Sequence, residues 1–188
     1  MPDVVGHFES HLGVVEKGWN STPNGARLPF QVVKYARGSH DDDHAYSTLG
    51  LSDHRLGHDQ INETTQTELL FLLRNGFRDE IAVEQLAGTG MRMLAQHRSL
   101  LSGQVIATQG SDMRASGFVG LVAAHPAYFD DSFSEFVARD GGGALVTWLI
   151  PLKHEEMHFI LDRGWVRFED VLMAQDPDLT DQNRLSTV

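Results

Sequence analysis

Residues 67–74 read TELLFLLR, an apolar run that is short for a helix and has the length and content of a buried strand. Around it, strand-like and helix-like segments alternate irregularly. Val4, Val5, Phe8 and Leu12 fall at helical spacing, with Asp3 placed to cap the start. Residues 18–25 (GWNSTPNG) are rich in turn formers and read as a loop. Residues 31–35 are β-branched and aromatic and read as a strand. An acidic, His-containing loop at 38–44 separates it from a second strand at 45–51, and the two make a hairpin. The longest helix is expected at 78–98, carrying Ile81, Leu86, Met91 and Leu94 and weakened near its middle by Gly88 and Gly90. Further strands are expected at 105–108, 118–123 and 144–149, then short helices at about 153–163 and 166–174.

The pattern predicts an α+β (mixed α/β) fold whose mixed or mostly antiparallel sheet is packed by helices. No internal repeat and no long linker divides the chain. One domain is expected over 1–188, its core at about 7–175, with a polar, frayed tail at 176–188.

The formal charge of −11 argues against binding nucleic-acid phosphate, which needs Lys/Arg patches, and suits a basic protein partner. No apolar run approaches the roughly 20 residues that span a bilayer. The opening MPDVVGHFESHLG lacks the basic and apolar regions of a signal peptide. Cysteine is absent, which excludes disulfides, Cys-based zinc sites and a thiol nucleophile. These features together give a cytoplasmic expectation and leave the oligomeric state open.

Residues 153–160, KHEEMHFI, contain the His-Glu-x-x-His spacing that puts two imidazoles on one helical face to hold Zn²⁺. A zinc hydrolase would use His154 and His158 with Glu155 as base, plus a third protein ligand. The positions that supply Gly and His in the extended metzincin motif are Leu161 and Gly164 here, leaving Glu169 as the nearby candidate. The chain has ten His, and His7/His11, His40/His44 and His54/His58 share the same spacing, so the pair reads as incidental. Residues 39–44 (SHDDDH) set three carboxylates between two His, a set that suits a divalent ion. Without EF-hand spacing the run reads instead as an acidic rim for a partner. There is no G-x-S-x-G elbow. Gly141, Gly142 and Gly143 lead into the strand ALVTWL and not into a helix start, so they read as a turn. No metal or cofactor is expected.

Three stretches carry a resemblance. The first is Gly18-Trp19 followed by LPFQVV at 28–33. The second is YSTLGLS at 46–52 with ELLF at 68–71. The third is VTWLIPL at 146–152, then Glu155-Glu156, Phe159-Ile160, Gly164-Trp165 and Phe168-Glu169. In this order and spacing the chain resembles the Suppressor-of-fused domain family, from about residue 7 to 184. The resemblance implies an α/β sandwich-like domain similar to the N-terminal half of a non-enzymatic Hedgehog-pathway regulator that sequesters a transcription factor. It also implies kinship with bacterial members similar to immunity proteins for polymorphic toxins. The second domain of the eukaryotic regulator has no room in this chain. In the family pattern Glu155 and Glu156 start a helix, where they complement its dipole. Phe159 and Ile160 fill the core, and Gly164 ends the helix in the left-handed conformation.

The expected function is a non-enzymatic protein-binding domain, an immunity- or antitoxin-like factor whose acidic surface engages a basic protein partner such as a toxin domain. The alternatives are the zinc-dependent hydrolase and a scaffolding module that binds a partner peptide at a sheet edge. Asp41, Asp42 and Asp43 are the first candidates for partner contact, followed by Thr48, Ser52 and Glu68. On the structural alternative, Thr48 and Ser52 are strand-end hydrogen bonders and Glu68 pairs with Arg74. Trp19, Trp148 and Trp165 read as core or core-edge anchors.

Overall fold

The computed structural model describes residues 3–22, 24–58, 64–108, 110 and 112–188. Pro23 of the expected loop and the first two residues of the expected domain lie outside them. The helices are α1 (Val4–Leu12), α2 (Asp79–Gln96), α3 (Asp112–Ala115), α4 (His154–Arg163) and α5 (Trp165–Gln175). The strands are β1 (Val15–Ser21), β2 (Arg27–Tyr35), β3 (Asp43–Leu49), β4 (Leu56–Gly57), β5 (Thr64–Arg74), β6 (Val105–Ala107), β7 (Phe118–Ala124), β8 (Glu135–Val137) and β9 (Gly143–Lys153).

One sheet runs β1-β2-β3-β5-β9-β7-β6, with β4 beside β5 and β8 beside β9. Its pairings are antiparallel except for β5 with β9. The mixed α+β class and the β2–β3 hairpin are as expected. Among the described residues no helix is long and apolar enough to cross a membrane.

The two long central strands explain the unbroken TELLFLLR run. Successive side chains of a strand point to opposite faces. Leu70 and Leu72 join a core with Phe8 of α1, Trp148 and Ile150 of β9, Ile160 of α4 and Phe168 of α5. Leu69, Phe71 and Leu73 face the other way, into a core with Phe30 and with Ile81, Leu86 and Met93 of α2. Helices therefore cover both faces, and each buried Leu or Phe contributes about 1.5–3 kcal/mol. Gly90 serves this packing, because a Cβ there would lie 2.5 Å from the Phe30 ring.

Three expectations need correction. Residues 18–21 are not loop but the second half of β1, with Trp19 opposite Val32. An edge strand with one thinly covered face carries little apolar signal. The short β8 also has no signature in its sequence. The tail beyond 176 is polar but not frayed, since Leu179, Thr180, Gln182, Arg184 and Thr187 are buried. At the junction of α4 and α5, Gly164 has φ 87° and ψ 160°, a region open essentially to glycine but not the left-handed helical one expected.

Candidate functional site

The residues first assigned to partner contact separate into two groups. Asp41 and Asp42 are exposed at the 38–44 turn. Asp43 is buried, and it accepts hydrogen bonds from the Ser39 hydroxyl and from the His40 N–H at 3.0 Å, closing that turn. Gly38 allows this, because a Cβ there would collide with the Asp43 carboxylate.

Thr48, Ser52 and Glu68 are brought together, but inside the protein, at 0–2% exposure. The Glu68 carboxylate accepts from the Thr48 hydroxyl at 2.5 Å, the Ser52 hydroxyl at 2.6 Å, and the N–H groups of Gly50, Leu51 and Ser52 at 2.9, 3.3 and 3.0 Å. Thr48 Oγ1 in turn accepts from the Leu69 N–H. Burial pushes the Glu68 carboxyl above its usual range, and these donors pull against that. The cluster clamps the link after β3 onto β5 and cannot touch a partner. Arg74 is not its counterion: it pairs instead with Asp42, Asp178 and Asp181.

The two His of HEEMH lie on the exposed side of α4, with ring centroids 4.4 Å apart. Among the described residues no group of three or more His, Asp or Glu is placed to share an ion. Glu169, the candidate third ligand, lines a hollow on α5. Glu155 is exposed, whereas Glu156 is buried and accepts from the Lys153 N–H to cap α4.

The hollow beside α5 is a well-formed apolar concavity. Its volume is about 290 Å³, and Tyr128, Trp148, Ile150, Trp165 and Leu172 are among the side chains that line it. The helical spacing of Trp165, Glu169, Leu172 and Asp176 puts all four on one stripe of α5 and its cap. The walls are fixed. Trp148 on β9 is 2% exposed, and its ring centroid lies 4.8 Å from that of Tyr128. Tyr128 donates its hydroxyl proton to the Pro177 carbonyl at 3.0 Å and accepts from the Leu179 N–H at 3.2 Å. Trp165 lies against the backbone of Gly103, where an added Cβ would come within 2.6 Å of it.

A second hollow of about 270 Å³ adjoins the first, lined by His40, Asp42, Tyr128, Asp176, Pro177 and Asp178. Among the described residues no Lys or Arg lines either one. Asp42, from the acidic loop singled out in the sequence, thus edges the same depression as α5. Sequence reasoning missed Tyr128, Leu172, Met173, Asp176 and Asp178. Of the three Trp read as anchors, Trp148 is core, Trp19 packs partly buried against the α2 side, and Trp165 is a wall of the hollow.

Comparison with known proteins gives a consistent relationship. A family model described as Suppressor of fused protein (SUFU) matches residues 27–185. The crystal structure of a SUFU homolog from Neisseria gonorrhoeae FA 1090 superposes with a TM-score of 0.73 at 20% identity, over 97% of this chain and 93% of that one. Drosophila Suppressor of Fused gives 0.60 at 14% identity, over 84% of this chain and 42% of its own. A chain of the Sufu-Fu complex gives 0.59 at 14% identity, over 84% and 77%. No curated protein matches the chain by sequence. At these identities the structural likeness establishes the fold, and function has to be argued from the site.

Proposed function

The chain belongs to the Suppressor of fused family, and from that premise we propose that it is a non-enzymatic protein-binding domain, spanning 1–188. In this reading it acts in the cytoplasm, sequestering or neutralising a basic protein partner in the manner of an immunity factor. The observation that supports the reading is the apolar hollow at α5, whose rim carries Glu169, Asp42, Asp176 and Asp178 with Arg74 paired to two of them, a net negative margin. A partner-binding patch combines a desolvated apolar centre with a charged rim that steers and orients. The net charge of −11 extends the same steering over the rest of the surface. Sufu, a structural relative, has been crystallised in a complex with Fu. In this reading Asp42 lies on the acidic side of this surface and Asp41 is exposed on the same turn, while Asp43, Thr48, Ser52 and Glu68 are buried and serve the scaffold.

The test is co-expression with the product of a toxin-like reading frame adjoining this gene. The wild-type chain should restore growth and co-purify with that product. Met173→Arg should do neither, although Met173 is 71% exposed and the variant should fold normally. Rescue undiminished by Met173→Arg would remove the hollow from the interface. The absence of any co-purifying protein would overturn the reading.

A further inference from the structure

Resting on the protein-binding reading above, we infer that the occupant of the paired hollows is a short extended segment. It carries an aromatic or aliphatic anchor and, two or three residues further on, an Arg or Lys. The first compartment sets the anchor. Its lining is mostly aromatic and aliphatic, and at about 290 Å³ it falls just under the roughly 300–1,000 Å³ usual for small-molecule sites, so it suits one large side chain. The second compartment sets the cation. Asp42, Asp176 and Asp178 line it. Arg74 shares itself among Asp42, Asp178 and Asp181, and Arg184 is paired with Glu156, which leaves a net negative charge. Among the described residues neither Asp176 nor Glu169 pairs with a cation.

The spacing follows from how the compartments join. Both are lined by Tyr128, Asp176 and Pro177, so they are immediate neighbours. An extended chain advances about 3.3 Å per residue with side chains alternating in direction. A side chain two positions on therefore points the same way about 6–7 Å along, and at three positions the long stem of Arg or Lys can still turn back to that side. The rigid walls (Trp165 on Gly103, Tyr128 held at its hydroxyl, Trp148 in the core) mean that little ordering of the protein opposes binding. Arg should be preferred to Lys, since its planar fork can meet two carboxylate oxygens at once. The net negative charge of the rim turns away phosphate, nucleic acid and acidic peptides.

Fluorescence polarisation on the full chain tests this, using labelled Gly/Ser-frame peptides. One carries Trp followed two residues later by a pair of Arg, and its relatives replace Trp with Ser, or Arg with Gln or Glu. The complete peptide should bind at least about tenfold more tightly than the Ser or Gln peptides, and its affinity should fall with added salt. The Glu peptide should not bind. In the Asp42→Asn/Asp176→Asn variant the complete and Gln peptides should become equal, and Met173→Arg should weaken every peptide. Equal binding of the Arg, Gln and Glu peptides to the wild-type chain would overturn the inference. So would a dimer in sedimentation that Met173→Arg dissociates, because a second copy would then fill the hollow. A co-purifying partner that is released by Met173→Arg, yet indifferent to salt and to Asp42→Asn/Asp176→Asn, would leave the protein-binding reading standing and overturn this one alone.

Discussion

Arg184 and Glu156 form an ion pair inside the domain, with side chains 5% and 0% exposed and Nη2 2.8 Å from Oε2. The pair joins the end of the chain to the first turn of α4. Arg184 Nη2 also donates to the Pro151 carbonyl at 2.7 Å, and Glu156 accepts from the N–H and hydroxyl of Thr187 at 3.0 and 3.1 Å. A polar tail is thereby held down by charge and hydrogen bonds and not by an apolar face.

Removing one partner of this pair should be far worse than removing both. Arg184→Leu strands a buried carboxylate and should lower stability by about 3–5 kcal/mol in urea unfolding. Arg184→Leu combined with Glu156→Leu should recover part of that loss. If the double variant were less stable than the single by the full additive amount, the pair would not be coupled.

The two buried glutamates should respond to pH in opposite senses. Burial raises the Glu156 carboxyl, but the hydrogen bonds and charge of Arg184, with the Lys153 and Thr187 N–H groups, outweigh it and hold it below its usual range. Its stabilisation is present above the unfolded value of about 4.3 and is lost as pH falls through the lowered folded value. Burial raises Glu68, so its contribution is full below about 4.3 and is lost as pH rises through the raised folded value. Stability measured against pH, wild type minus Glu156→Gln, should therefore decline in acid. Wild type minus Glu68→Gln should rise as pH is lowered. Slopes of the same sign would contradict this.

Gly90→Ala should destabilise the protein even though alanine favours helices by about 1 kcal/mol over glycine. The new methyl would meet Phe30 at 2.5 Å, and overpacking of this kind costs about 1–3 kcal/mol. In thermal melts Phe30→Leu should reduce the penalty of Gly90→Ala. A gain in melting temperature from Gly90→Ala alone would show that the ring yields freely.

The HEEMH imidazoles should be dispensable. Protein purified without a His tag should contain zinc well below one equivalent by elemental analysis. His158→Ala should change neither melting temperature nor partner binding. Stoichiometric zinc that disappears in His158→Ala would revive the hydrolase.

Much of the fold was legible because apolar periodicity reports which face of an element is buried. The helix at Val4–Leu12, with Asp3 accepting from the Gly6 N–H at 2.8 Å, follows from spacing and a capping residue. So do α2, α4, α5 and the central strands. The polar positions were harder to read. Thr48, Ser52 and Glu68 carry side chains that water would accept as readily as the interior. Glu68 is buried only because donors from 16–20 residues upstream converge on it.

The chain's own order of residues settled the α+β class, the doubly buried strand TELLFLLR and the family motifs, since each depends on neighbours a few positions apart. The hollow had no such local origin. Asp42, Tyr128, Trp148, Trp165 and Asp176 come from separate turns, strands and helices. Whether Trp165 becomes core or wall depends on what packs over it. The polar tail was also decided in three dimensions, because Arg184 and Glu156 lie 28 residues apart in the chain and are buried together only in the packed domain.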